Sequence, residues 1–152
     1  MGNRPRKTIT LIELGILVVI FAILRSVVVP VLGQAEDSTR DTTLRVELQR
    51  LQGAVNSYRQ QHAGQLPCRD RFIAQLTMRT DKLGRVLSDA QAGDACSLGP
   101  YIERIPRNPY VNRRVADRVE VGLAGPGGGN AGWYFNEKTG VVSPDDDFHR
   151  DE

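Results

Sequence analysis

The sequence predicts an α+β fold: a long N-terminal α-helix, half membrane-spanning and half amphipathic, packed on a small antiparallel β-sheet. Three observations predict it. An almost unbroken apolar run, Leu11 to Leu32, opens the chain. An apolar stripe at steps of three and four follows: Leu44, Leu48, Leu51, Val55 and Tyr58. Short alternating segments separated by glycine-rich turns close it, from Val119 to Val142.

The chain has 152 residues, which fits one domain with an appended segment. Hydrophobic residues make up 40% of it, but the apolar run holds a large share of them. The core available to the remainder is therefore smaller than the mean suggests. The net charge is +2, which provides no general attraction to nucleic acid.

Residues 1–8 are short and basic, with Arg4, Arg6 and Lys7 and no acid. The apolar segment 9–32 is long enough to cross a bilayer, which takes about 20 residues as a helix. The basic flank predicts the N-terminus in the cytoplasm and the rest translocated. A secretory signal has a shorter apolar centre and ends at small residues, which Pro30-Val-Leu-Gly-Gln-Ala35 only loosely matches.

Glu13 is the odd residue, a carboxylate at the start of the apolar run. Such a group costs a few kcal/mol on insertion scales and points to function. Its bland alternative is contact with headgroup water near the helix end. Arg25 is a second charge, about 18 Å further along a helix and too far to pair with Glu13 in the same copy. It pairs between staggered helices or extends towards the outer headgroups.

Beyond Pro30 the helix continues over 33–63, with Arg45, Glu47, Gln49, Arg50, Gln52 and Arg59 opposite the apolar stripe. Gly64 and Pro67 stop it. Gln34 to Thr43 has no clear apolar face, and with Pro30 and Gly33 beside it a locally unwound stretch is expected there.

The small globular domain, 64–152, starts with a connecting region. A short helix is expected within Asp70–Arg79 and another turn or two within Leu83–Ala92. Tyr101 to Tyr110 is interrupted by Pro106 and Pro109 and reads as a loop. Val119, Val121 and Leu123 form a strand. Trp133–Phe135, the turn Asn136–Gly140 and Val141-Val142 form a hairpin.

Two cysteines, Cys68 and Cys96, either form one disulfide after export or remain two small unpaired residues. The glycines of Ala124–Gly132 lack the phosphate-loop pattern and read as an inter-strand loop. His62 and His149 have no neighbouring nucleophile pattern, so no active site is expected.

The segment Ile9-Thr-Leu-Ile-Glu-Leu14, followed by the apolar run and Pro30, resembles the prepilin-type N-terminus of type IV pilins and type II secretion pseudopilins. Gly132 to Val142 is similar to the last hairpin of pseudopilin domains, and Tyr101 to Tyr110 to the loop before their strands. The resemblance implies a basic leader removed by prepilin peptidase between Thr8 and Ile9, and methylation of the new terminus. It implies that Glu13 neutralises a neighbour's terminal amine and that Pro30 marks where the helix bends or melts. The family usually carries glycine before the cut and phenylalanine after it, where this chain has Thr8 and Ile9.

The implied protein is a homo-oligomeric filament subunit held in the bacterial inner membrane, with its C-terminal domain in the periplasm. Its partners are membrane lipids and a secretion or pilus assembly machinery. A surface pilin and an anchored binding module that never polymerises are the alternatives. Several major pseudopilins bind calcium between their last strands. This chain lacks that calcium loop and the EF-hand pattern. No cofactor is therefore expected, and Asp145, Asp146, Asp147, Asp151 and Glu152 read as a solvated acidic tail, with calcium held by those acids as the alternative.

Overall fold

Apolar and helix-favouring residues dominate the first element, α1 (Leu11–Gln61). The structure is a computed structural model that describes residues 10–88 and 97–149, with side chains at 24–36 outside the description. After α1 come a 3₁₀ turn (Arg69–Arg71), α2 (Phe72–Thr77), and three strands: β1 (Val119–Gly122), β2 (Trp133–Asn136) and β3 (Val142–Pro144). The fold is mixed α+β. The chain divides into two compact units between Thr39 and Arg40.

The locally unwound stretch expected at 34–43 is helical. Proline withdraws one amide donor from the ladder, and the backbone on both sides of Pro30 carries on as helix. The expected stops act close to where the sequence puts them. Ala63 and Gly64 adopt positive φ, and the Gly64 amide bonds to the Arg59 carbonyl, closing the end of α1.

In the second unit the stripe of α1 is the core. Leu44, Leu51, Val55 and Tyr58 are buried, and Leu48 packs against them half-buried. They meet Phe72 and Leu76 of α2, Ile102 and Ile105 of the following loop, and Trp133, Phe135 and Val142 of the sheet. The Trp133 indole N–H donates to the Pro106 carbonyl at 2.8 Å, so the largest core side chain leaves no polar atom unpaired.

The sheet corrects the expectation of an all-antiparallel arrangement. β2 and β3 form the expected antiparallel hairpin, but β1 pairs with β2 in parallel, Val119 opposite Trp133. The glycine-rich loop explains this. A four-residue strand needs a return of only about 13 Å, and residues 123–132 reach about 33 Å or more when extended. No crossover helix is required. The hairpin is tied to α1 through Gln52, which the sequence reading put on the polar face. Its amide donates to the Gly140 carbonyl and accepts from the Val142 N–H.

Around residue 83 the expected helical turns are absent. Asp81 to Gly84 is a tight turn and Thr80 bridges to Val86 and Leu98. Residues 89–92 of that expectation lie outside the described residues.

Candidate functional site

The first turn of α1 is built by Thr10 and Glu13. The Glu13 amide donates to Thr10 Oγ1 at 3.3 Å, and the Leu14 amide to the Thr10 carbonyl at 3.0 Å. Thr10 therefore caps the helix, and Glu13 stands three residues on, the spacing of a capping box. Its carboxylate lies in the first turn, where the helix dipole favours negative charge. The sequence reading missed this Thr-x-x-Glu signal.

Around and beyond Glu13 the helix carries apolar side chains on every side, all exposed: Leu11 is 90% accessible and Phe21 66%. Ile12, Gly15, Ile16, Val19 and Ile20 line a shallow apolar groove along the axis. At Gly15 an added Cβ would meet nothing within 4 Å, so another chain could approach the backbone there. Among the described residues no helix is long and apolar enough to cross a membrane. The described apolar side chains, Leu11 to Ile23, cover about 20 Å of helix, short of a hydrocarbon core of about 30 Å.

The other predicted positions are scattered. Thr8 and Ile9 lie outside the described residues. Pro30 lies within α1, its side chain undescribed. Cys68 is an exposed free thiol, and Cys96 lies outside the described residues.

The second unit holds two buried polar clusters that sequence reasoning did not anticipate. The expected solvated tail is wrong for Asp145 and Asp146, which are buried. Asp145 Oδ1 accepts the Gly127 and Gly128 amides at 2.7 and 3.0 Å, and Oδ2 accepts the Ala131 amide at 3.2 Å. One carboxylate thus organises the glycine-rich loop, and those hydrogen bonds are what make its burial tolerable.

Asp146 accepts from the Asn108 side chain at 3.0 Å and from the Phe148 and His149 amides at 3.0 and 2.9 Å. His149 Nδ1 lies 2.8 Å from the same carboxylate, and its Nε2 faces Asp41 at 3.6 Å. Tyr110 packs against His149 with its ring tilted, the centroids 4.4 Å apart, and donates its hydroxyl to Asp41. Burial raises the Asp146 pKa, but the hydrogen bonds from Asn108, His149 and the two amides outweigh it and hold the carboxyl below its usual range. This network clamps residues 145–149 to Asp41 of α1.

The second cluster surrounds the C-terminal end of α1. His62 is buried, with Nδ1 2.9 Å from the Tyr58 carbonyl and Nε2 at 3.0 Å from the Asp81 carbonyl and 3.1 Å from Thr80 Oγ1. It stacks on Tyr58 at 3.8 Å. Burial pushes the Tyr58 phenol up to about 12, reinforced by Cys68, Tyr101 and Asp81 against Arg71. Both histidines are thus engaged in holding loops to α1. The chemistry of the two clusters is that of structural clamps. No protein-family model, curated protein or solved structure matches this chain.

Proposed function

We propose that this chain is the structural subunit of a pseudopilus-like filament in type II protein secretion, held in the bacterial inner membrane by its N-terminal helix before assembly. The observation that carries this reading is the stretch Leu11 to Ile23, apolar on all sides, exposed, and bearing one carboxylate at its start. Soluble monomers rarely expose so continuous an apolar surface. Lipid before assembly and sister helices after it would both cover such a stretch. Within that reading Glu13 supplies the anion for a neighbour's terminal ammonium after cleavage between Thr8 and Ile9, and an ion pair in an apolar setting needs such a partner.

A second reading has one observation in its favour. The Thr10–Glu13 cap gives Glu13 a local task that needs neither cleavage nor a neighbour. An anchored binding module that never polymerises would keep that cap and nothing more.

Intact mass and N-terminal sequencing of protein recovered from membranes separates the two. The filament reading expects a chain starting at N-methylated Ile9 and a ladder of crosslinked oligomers. A Met1 start with no ladder favours the anchored module.

A further inference from the structure

The second unit carries a cleft of about 780 Å³ between α1, α2 and the loop around residue 105. Its apolar lining is the half-exposed Ile73 beside the buried Ile105 and Pro106. Arg50, Arg104, Arg107 and Arg118 outnumber the acids Glu47, Glu103 and Asp117 on its walls. Arg107 lies 3.8 Å from Asp117 and Arg50 3.8 Å from Glu47, whereas no described residue partners the guanidinium groups of Arg104 and Arg118. The cleft therefore suits an occupant with an apolar body and an adjacent anion.

The same unit displays such a group elsewhere. Phe148 is 85% exposed, the most exposed large apolar side chain of the second unit. It is not a loose end. Asp146 Oδ1 accepts the Phe148 and His149 amides, and the His149 ring is held by Asp146. The ring is thus presented on a preorganised turn, with exposed Asp147 beside it. An aromatic side chain held rigidly outward is the typical anchor of an interface, and an aromatic face suits arginine.

We propose that Phe148 and Asp147 of one copy dock into the arginine-lined cleft of a second copy. The ring covers Ile73 and Ile105, and the Asp147 carboxylate meets Arg104 and Arg118. The surface given and the surface received differ, so the contact is head-to-tail. Such contacts propagate into open chains unless the rotation closes a ring. The inference deepens the filament reading by naming one of its contacts.

The test uses the full chain in detergent or membranes, with a photo-crosslinking phenylalanine analogue at position 148 and an isotope-labelled second copy. Crosslinked peptides should join position 148 to residues 73–77 or 103–107 of the labelled partner. Phe148→Ala should weaken self-association about tenfold or more without moving the melting curve. Asp147→Arg should weaken it too, and Arg104→Asp with Arg118→Asp should restore it. Crosslinks confined to the same chain or mapping elsewhere overturn the proposal, as does unchanged association of Phe148→Ala. If Phe148→Ala assembles into normal filaments, this contact is wrong and the filament reading stands. If the crosslinks form but no filament ever does, the contact stands and the filament reading fails.

Discussion

The two stretches of α1 differ in what completes them. From Leu44 to Tyr58 the apolar residues recur on one face, and the chain itself supplies Phe72, Leu76, Trp133 and Phe135 to cover it. From Leu11 to Ile23 the apolar residues run round the helix and remain exposed. A periodic stripe is a request for one protein surface, whereas an all-round apolar helix calls for a surrounding medium or several neighbours. The lesson is that the two stretches should respond oppositely to the same kind of substitution.

Two glycines test this most strongly, one within the exposed stretch and one just before β2, whose Trp133 and Phe135 cover the stripe. At Gly132 an added Cβ would lie 1.9 Å from the Ala116 carbonyl oxygen, a backbone atom that cannot swing aside. Gly132→Ala is expected to cost about 3 kcal/mol or more. At Gly15 the added methyl meets open space, and alanine favours helix by up to about 1 kcal/mol. Trp133 is the single tryptophan and fully buried, so its fluorescence reports unfolding of the second unit alone. Its melting temperature should fall steeply for Gly132→Ala and stay fixed for Gly15→Ala. A shift in the second case would show that the two stretches share one cooperative transition.

Next in size is the Asp145 carboxylate. Asp145→Ala leaves the amides of Gly127, Gly128 and Ala131 without their acceptor, and a loss of about 2–3 kcal/mol is expected. Asp145→Asn keeps one acceptor oxygen and should lose less. Hydrogen exchange at those three amides checks the assignment: it should accelerate in the alanine variant before the sheet amides do.

The fold was legible where side-chain chemistry is periodic, and the buried polar residues were not. The stripe of α1, its stop at Gly64, α2 and the β2–β3 hairpin all follow from apolar spacing and turn residues. Strand direction did not follow, because a loop of ten residues permits either direction and only tertiary packing selects one. Asp145 and Asp146 looked like a solvated tail because acids rarely go inside without partners. A signal was present nonetheless. The loop from Gly125 to Gly132 brings many amide donors and few side-chain acceptors, so an acceptor had to come from elsewhere. At the N-terminus, the Thr-x-x-Glu spacing was readable but was overshadowed by the unusual charge.

A smaller effect is the acid dependence of the Asp146 clamp. Its folded pKa is lowered, so its stabilisation is fully present above the ordinary aspartate value of about 3.9 and is lost as the pH falls from there through the lower folded value. Trp133 fluorescence at fixed denaturant should therefore show stability declining below about pH 4. In Asp146→Asn that part of the decline should be missing. The apolar stretch of α1 contributes nothing to this window through Asp146, so a decline equal in both proteins would place the acid-sensitive group elsewhere.

The smallest effect on stability decides the most about Glu13. Thr10→Ala removes the helix cap and should cost the first turns of α1 about 1 kcal/mol, seen as faster exchange at the Glu13 and Leu14 amides, with the Trp133 transition unmoved. Glu13→Gln keeps a side chain of nearly the same shape that still suits that position of a capping box, but it removes the charge. If the carboxylate serves only the cap, Glu13→Gln should do less harm than Thr10→Ala in every assay. If it answers a neighbour's ammonium, the order reverses in assembly. Thr10→Ala should then still give crosslinked ladders, while Glu13→Gln inserts into membranes normally and yields none. The stretch of α1 that the chain leaves uncovered would then be completed by other copies, with Glu13 supplying the charge that selects them.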